Sequence, residues 1–205
     1  MPDESNLLHA LVSHPVLRHL SVALAERSPV LAELDGEPRR AAVAIVFRVN
    51  AYDALELILI QRSEREGDPW SGQIALPGGR FDHGDATLQD TAVRETLEET
   101  GVDVARDGVV LGMLDELRPR TPTLPPIIVT PFVAVVPRDV TFATSDEVAE
   151  VFWVPVSYFS DPYVAMESTV HVRGADWRVP SYRLGRHVVW GMTERILKQL
   201  LELVA

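Results

Sequence analysis

The sequence predicts a mixed α/β sandwich or α+β domain. Three observations carry that reading: strand-length apolar runs outnumber amphipathic helical stretches, strands and helices do not alternate as a doubly wound parallel sheet requires, and 205 residues suit one core with extensions. Residues 7–26 carry Leu8, Leu11, Val12, Val16, Leu20, Val22 and Leu24 at helical intervals, predicting one or two helices broken near His14-Pro15. Residues 33–40 (ELDGEPRR) read as a polar, turn-rich connector. Apolar runs at 41–49 and 55–62, joined by a turn at 50–53, predict a hairpin. Residues 65–85 are rich in Gly, Pro and Asp and predict mostly loop, of a length that is usually functional. A helix is expected at 86–100, stopped by Gly101. Strands follow at 109–117, 127–136 and 150–154, a short helix at 156–160, and β segments at 164–172 and 177–184. An amphipathic helix closes the chain at 190–204. The whole is expected to be one domain, with a helical extension at 1–38, a core at 39–160 and further strands and a helix at 161–205.

Composition excludes several classes of function. The chain has no cysteine, so disulfides, thiolate metal sites and cysteine nucleophiles are ruled out. A formal charge of −11 repels nucleic acid and anionic lipid, so a polyanion can bind only at a local exception such as a metal or an arginine cluster. The longest apolar runs, 41–47 and 127–136, fall short of the roughly 18 residues that span a bilayer. The start, MPDESN, is acidic where an export signal would be basic and then apolar. A cytoplasmic protein with neither membrane nor nucleic-acid partner is the expectation.

The chemistry concentrates in residues 76–102, LPGGRFDHGDATLQDTAVRETLEETGV. On a helix Glu95, Glu98 and Glu99 fall within an arc of about 100°, with Ala86, Val93 and Leu97 pointing the other way and expected to anchor the opposite face. Like charges at i,i+3 and i,i+4 cost roughly 0.2 to 0.5 kcal/mol per pair, a cost that a cation among them removes. Mg²⁺ takes one or two carboxylates together with water and phosphate oxygens. A bare ExxEE would read as a solvated acidic face; here Arg94 can orient one carboxylate, and Gly78 and Gly79 permit the close backbone approach of a catalytic loop. Guanidinium forks match phosphate oxygens, so Arg62, Arg65 and Arg80 are the candidate phosphate or nucleotide contacts.

This segment resembles the signature of the Nudix hydrolase family through Gly79, Arg94-Glu95, Glu98-Glu99, Gly101 and Val102. It departs in three places: Asp85 stands for the first glutamate, Thr96 replaces an apolar residue, and Gly79 to Arg94 is one residue longer than usual. The resemblance implies a Nudix-type α/β/α sandwich with a mixed sheet, and metal-dependent hydrolysis of a nucleoside diphosphate linked to another group. It implies Mg²⁺ or Mn²⁺ held by Glu95, Glu98, Glu99 and the Gly79 carbonyl, with Gly78 beside the substrate and Arg94 an orienting residue. Glu98 and Arg94 then belong to the catalytic set, joined by Glu147 as the loop glutamate that serves as base or ligand, with Glu150 behind it. His83 reads as an exposed loop residue.

The resemblance extends to the coenzyme A diphosphatase branch through LILIQRS at 57–63, GQIALPGG at 72–79 and the last helix. The branch has an arginine four residues after its Arg-Ser serine; Gly67 occupies that register, with Arg65 nearby. Coenzyme A or acyl-coenzyme A, cleaved to 3′,5′-ADP and 4′-phosphopantetheine, is the first substrate. ADP-ribose or NADH is the same-class rival, and a silent nucleotide-binding module is the rival from another class. Arg118 and Arg120 flank a Pro-rich loop that reads as a rigid connector or a closing flap, and Trp70 as a packing or base-stacking residue. Trp190, Ile196, Leu197, Leu200 and Leu201 read as core or as contacts of a homodimer.

Overall fold

The computed structural model describes residues 11–67, 70–119, 126–172 and 174–204. Helix α1 (Pro15–Glu26) is followed by β1 (Arg39–Val49), β2 (Leu55–Arg62), β3 (Ile74–Ala75), β4 (Gly78–Arg80), α2 (Leu88–Thr100), α3 (Val104–Asp107) and β5 (Val109–Met113). Then come β6 (Ile127–Val135), β7 (Val148–Pro155), a 3₁₀ turn (Val156–Ser160), β8 (Ala165–Val172), β9 (Ala175–Leu184), β10 (His187–Trp190) and α4 (Gly191–Val204). The larger sheet is mixed, in the order β3-β2-β1-β6-β5, with β4 on β1 and β7 on β2; β1 and β6 are parallel and the other pairs antiparallel. Strands β8, β9 and β10 form a separate antiparallel sheet.

Period-two alternation places Ile45 and Phe47 of β1 on one face, where they pack with Leu17, Leu20 and Leu24 of α1 and Ile196, Leu197 and Leu200 of α4. Ala42, Ala44 and Val46 turn to the other face and pack with Ala92 of α2. Helices thus cover both faces, so β6 is buried at every position and reads as an unbroken apolar run. Each large side chain fully buried in this way contributes roughly 1.5 to 3 kcal/mol.

Several boundaries differ from the sequence expectation for identifiable reasons. The 65–85 stretch is not all loop, because Gly78–Arg80 adds backbone pairs to β1 and Ile74–Ala75 pairs with β2. Helix α2 starts at Leu88 rather than 86: Thr87 and Asp90 form a reciprocal capping box, leaving Ala86 exposed and outside the helix. Leu97 is 43% exposed, contrary to the expectation that it anchors the helix. The buried side of α2 is instead Thr91, Ala92, Thr96, Glu99 and Thr100. Buried threonine hydroxyls are tolerated because Thr96 Oγ1 donates to Ala92 O at 2.7 Å and Thr100 Oγ1 to Thr96 O at 2.6 Å.

The 109–117 strand ends at Met113, with one isolated bridge at Leu117 to Val129. A tenth strand, His187–Trp190, precedes the last helix and takes Trp190 out of it. His14 caps α1 by accepting from Val16 N at 3.3 Å, and Pro15 occupies the first turn. The part of the N-terminal helical stretch at 1–10, and Arg120, lie outside the described residues. Arg118 ties to Asp35 and to the carbonyls of Glu33 and Asp35, so it fastens the connector. Among the described residues no helix is long and apolar enough to cross a membrane.

Gly101 closes α2 in the left-handed region at φ +73°, and a Cβ there would stand 2.7 Å from Ala143 Cβ and 2.8 Å from its amide nitrogen. Gly101→Ala is expected to cost at least about 2 kcal/mol, combining a left-handed backbone with overpacking. Urea unfolding monitored by circular dichroism checks this; a change below about 0.5 kcal/mol would contradict it.

Candidate active site

Helix α2 lies across β1 and β4 with its carboxylate edge toward the Gly78-Gly79 loop. Because Glu99 belongs to the buried side of the helix, it is only 3% exposed. Its Oε2 accepts from Gly78 N at 2.8 Å, and Arg62 Nη1 stands 3.7 Å from Oε1. Burial pushes the Glu99 carboxyl up to about 7, against the opposing pull of the Gly78 amide and Arg62 and with the help of Glu95 and Glu147. Burial also raises Glu95, more than Arg94 lowers it. A Cβ at Gly79 would displace the Glu95 carboxylate, and one at Gly78, whose φ is +154°, would stand 2.3 Å from the Ala42 carbonyl oxygen.

Arg94 gathers the polar groups on this edge. Its Nε and Nη2 donate to Asp85 Oδ1 and Oδ2 at 2.8 and 2.9 Å, a bidentate fork. Nη1 donates to Glu95 Oε1 at 2.9 Å and Glu98 Oε2 at 3.2 Å, and Nη2 also reaches Arg80 O at 3.3 Å. Thr91 Oγ1 donates to Asp85 Oδ2 at 2.8 Å. The Arg94 guanidinium holds the Asp85 carboxyl far below the usual carboxylate range. Asp85 and Thr91 are the residues that sequence reasoning missed as site members. The signal for Asp85 was present, an acid in the register of the first signature glutamate.

Glu147, in the turn just before β7, is brought to the same end of the sheet, where its carbonyl accepts from Ser63 N at 2.9 Å. Its carboxylate pairs with Arg65 Nη1 at 2.9 Å. Arg62, Arg65 and Arg80 therefore all lie around the cluster, engaged with Glu99, Glu147 and, through the Arg80 carbonyl, Arg94. Glu150 faces away from it, paired with Arg186 Nη2 at 2.6 Å and His187 Nε2 at 3.4 Å. His83 is exposed. A cleft of about 700 Å³ opens over Arg80, Phe81, Asp85, Arg94, Glu95 and Glu98. Another, of about 490 Å³, lies between β3 and the three-stranded sheet over Gln61, Gln73, His171, Arg186 and Trp190, away from these carboxylates.

As the side chains stand, no three acidic or imidazole groups among the described residues converge on one metal-sized point. Glu98 is turned to Arg94 and Glu147 to Arg65. The donor set nonetheless fits a hard divalent cation. Glu99 is a buried carboxylate and Glu95 a partly buried one, burial opposes the ionisation of both, and Glu95 stands against a glycine that leaves no intervening side chain.

The model of the NUDIX domain family matches residues 38–169. The chain belongs to the Nudix hydrolase family. It is 36% identical over 132 residues to an uncharacterised Nudix hydrolase NudL of Klebsiella pneumoniae, covering 63% of this chain and 66% of the relative. It is 34% identical over 138 residues to a peroxisomal coenzyme A diphosphatase of Caenorhabditis elegans, covering 66% of this chain and 56% of the relative. The matched stretch therefore spans two thirds or less of these relatives' own lengths. The fold is that of a MutT/nudix family protein from Enterococcus faecalis, with a TM-score of 0.56 and 19% identity over 100% of this chain and 75% of that one. Enzymes of the Nudix family act on nucleoside diphosphate derivatives and generally use divalent metals such as Mg²⁺ or Mn²⁺.

The Nudix glutamate Glu99 carries a pH-dependent cost. Raised from 4.5 to about 7, its proton stabilises the fold relative to the unfolded chain below pH 4.5, and that advantage is lost as pH rises to 7. At 1.4 kcal/mol per unit the loss is about 3 kcal/mol. Metal-free protein is expected to melt lower at pH 8 than at pH 5, and Glu99→Gln to flatten that dependence, as followed by calorimetry. A Glu99→Gln profile parallel to wild type would contradict the assignment.

Proposed function

We propose that this chain is a divalent-metal-dependent diphosphatase whose first substrate is coenzyme A or an acyl-coenzyme A. The observation that carries the catalytic reading is buried Glu99 and partly buried Glu95 against the Gly78-Gly79 backbone, with Arg94 forking between Asp85 and the glutamates. Glu95, Glu98, Glu99 and the Gly79 carbonyl hold Mg²⁺ or Mn²⁺, which when bound supplies positive charge to the diphosphate oxygens. Arg94 is a positioning residue: fixed by Asp85, it holds the Glu95 carboxylate beside the cleft and yields Glu98 to the cation. Glu147 accepts the proton of the attacking water at its carboxylate. The water oxygen bonds to one phosphorus, the bridging P–O bond breaks, and its electron pair stays on the bridging oxygen of the departing phosphate. Arg62, Arg65, Arg80 and the Gly78 backbone line the substrate side.

The coenzyme A assignment is supported by the LILIQRS and GQIALPGG segments and by the name of the nematode relative. Gly67, standing where the branch has an arginine, favours a second reading in which the substrate is ADP-ribose or NADH. A module that only binds nucleotide fits less well, because Glu95, Glu98 and Glu99 are kept.

Glu98→Gln is expected to lower kcat by at least about a hundredfold and leave the melting temperature nearly unchanged, since Glu98 is 57% exposed. Activity near wild type with Mg²⁺ or Mn²⁺ would contradict the metal role. Chromatography of products from coenzyme A, acyl-coenzyme A, ADP-ribose, NADH, diadenosine polyphosphates and nucleoside triphosphates tests the substrate. Release of 3′,5′-ADP from coenzyme A is the expected result. Cleavage of ADP-ribose or NADH alone would replace it with the second reading, and cleavage of none would contradict the enzymatic one.

A further inference from the structure

We propose that Arg65 and Glu147 form a substrate-released latch: the guanidinium holds the Glu147 carboxylate aside from Glu95 and Glu99 until a substrate phosphate takes the guanidinium over. The inference rests on the diphosphatase reading above and adds a positioning role for Arg65 in assembling that site.

The backbones on both sides of the pair are already fixed. Ser63 N donates to Glu147 O at 2.9 Å, Arg65 N to Ser71 Oγ at 2.8 Å, and Glu147 N to Ser145 Oγ at 3.3 Å. Exchange therefore asks only for side-chain rotation, which is fast beside turnover. The ion pair joining them is a single 2.9 Å contact between side chains 48% and 54% exposed, a weak geometry in which water competes at both ends. A diphosphate offers the same guanidinium more charge and two acceptors in a fork, a stronger partner. The pair stands beside the cluster, because Ser63, whose amide holds the Glu147 carbonyl, adjoins Arg62, which is 3.7 Å from Glu99. The exchange would make the rotation of the Glu147 side chain into the cluster follow substrate arrival, so a water would be activated only when a phosphorus is present to receive it.

The test is a double-mutant cycle on the full chain, titrating Mn²⁺ alone and reading free Mn²⁺ by electron paramagnetic resonance. Arg65→Gln is expected to bind Mn²⁺ two- to fivefold more tightly than wild type, because it frees Glu147, and that gain is expected to vanish in a Glu147→Gln background. A gain of equal size in both backgrounds would mean that Arg65 acts through its charge alone and would overturn the latch. No gain in either background would overturn it too. Kinetics on the best substrate of the panel give a second readout. Arg65→Gln should raise KM about tenfold with kcat within threefold, and Arg65→Lys should restore part of the loss, whereas an unchanged KM overturns the exchange. Mn²⁺ binding that Glu99→Gln does not weaken, or no cleavage of any panel compound by wild type, would instead bring down the diphosphatase reading and the latch with it.

Discussion

The site depends on one uncomfortable placement, the carboxylate of Glu99 buried on the sheet-facing side of α2. A carboxylate in such a position costs stability unless its charge is matched, and only the Gly78 amide and a distant Arg62 oppose that cost. The neighbourhood is built to make the placement possible. Ala42 and Ala44 on the face beneath the helix, with small threonines on its buried side, let α2 approach the sheet closely. Glycines at 78 and 79 then bring backbone up to Glu99 and Glu95 without a side chain between. The result is a buried and a partly buried carboxylate held in place by the Gly78 amide, Arg62 and Arg94, with oxygens of the kind a hard divalent cation takes.

Arg94 solves the complementary problem on the exposed edge. An arginine between three acids would hop among them were it not anchored. The bidentate fork to Asp85, itself held by Thr91, fixes the plane of the guanidinium and leaves Nη1 for Glu95 and Glu98. Asp85 is one carbon shorter than the glutamate of the signature, while the loop from Gly79 to Arg94 is one residue longer. A shorter side chain on a longer loop still reaches Arg94 at 2.8 Å, so the two departures are consistent with each other.

Much of this was legible because it rests on spacing. Glu95, Glu98 and Glu99 share an edge by helical periodicity, Gly101 ends the helix, and the apolar runs of β1, β2 and β6 announce a sheet covered on both faces. What misled was the assumption that the helix must anchor through its large apolar residues. Leu97 faces solvent, whereas Thr96 and Thr100 go inward with hydroxyls satisfied by the helix's own carbonyls, a solution that a hydrophobicity pattern does not register. The partners of Arg62, Arg65 and Glu147 were out of reach for another reason. They are set by how β2, β3 and β7 come together in space, and no local spacing encodes the meeting of residue 65 with residue 147. Strand β4 was hidden because Gly78–Arg80 joins the sheet by backbone alone, with glycines of low strand propensity.

The central claim is that the α2 carboxylates and the Gly79 backbone make a metal centre. The most direct measurement is a crystal structure of the full chain soaked with Mn²⁺, with data collected at the manganese edge. The account requires an anomalous peak bounded by Glu95, Glu98, Glu99 and the Gly79 carbonyl, with metal–oxygen distances near 2.1 Å. A peak elsewhere, with the Arg94–Glu98 contact and the Glu99–Gly78 hydrogen bond undisturbed, would contradict it.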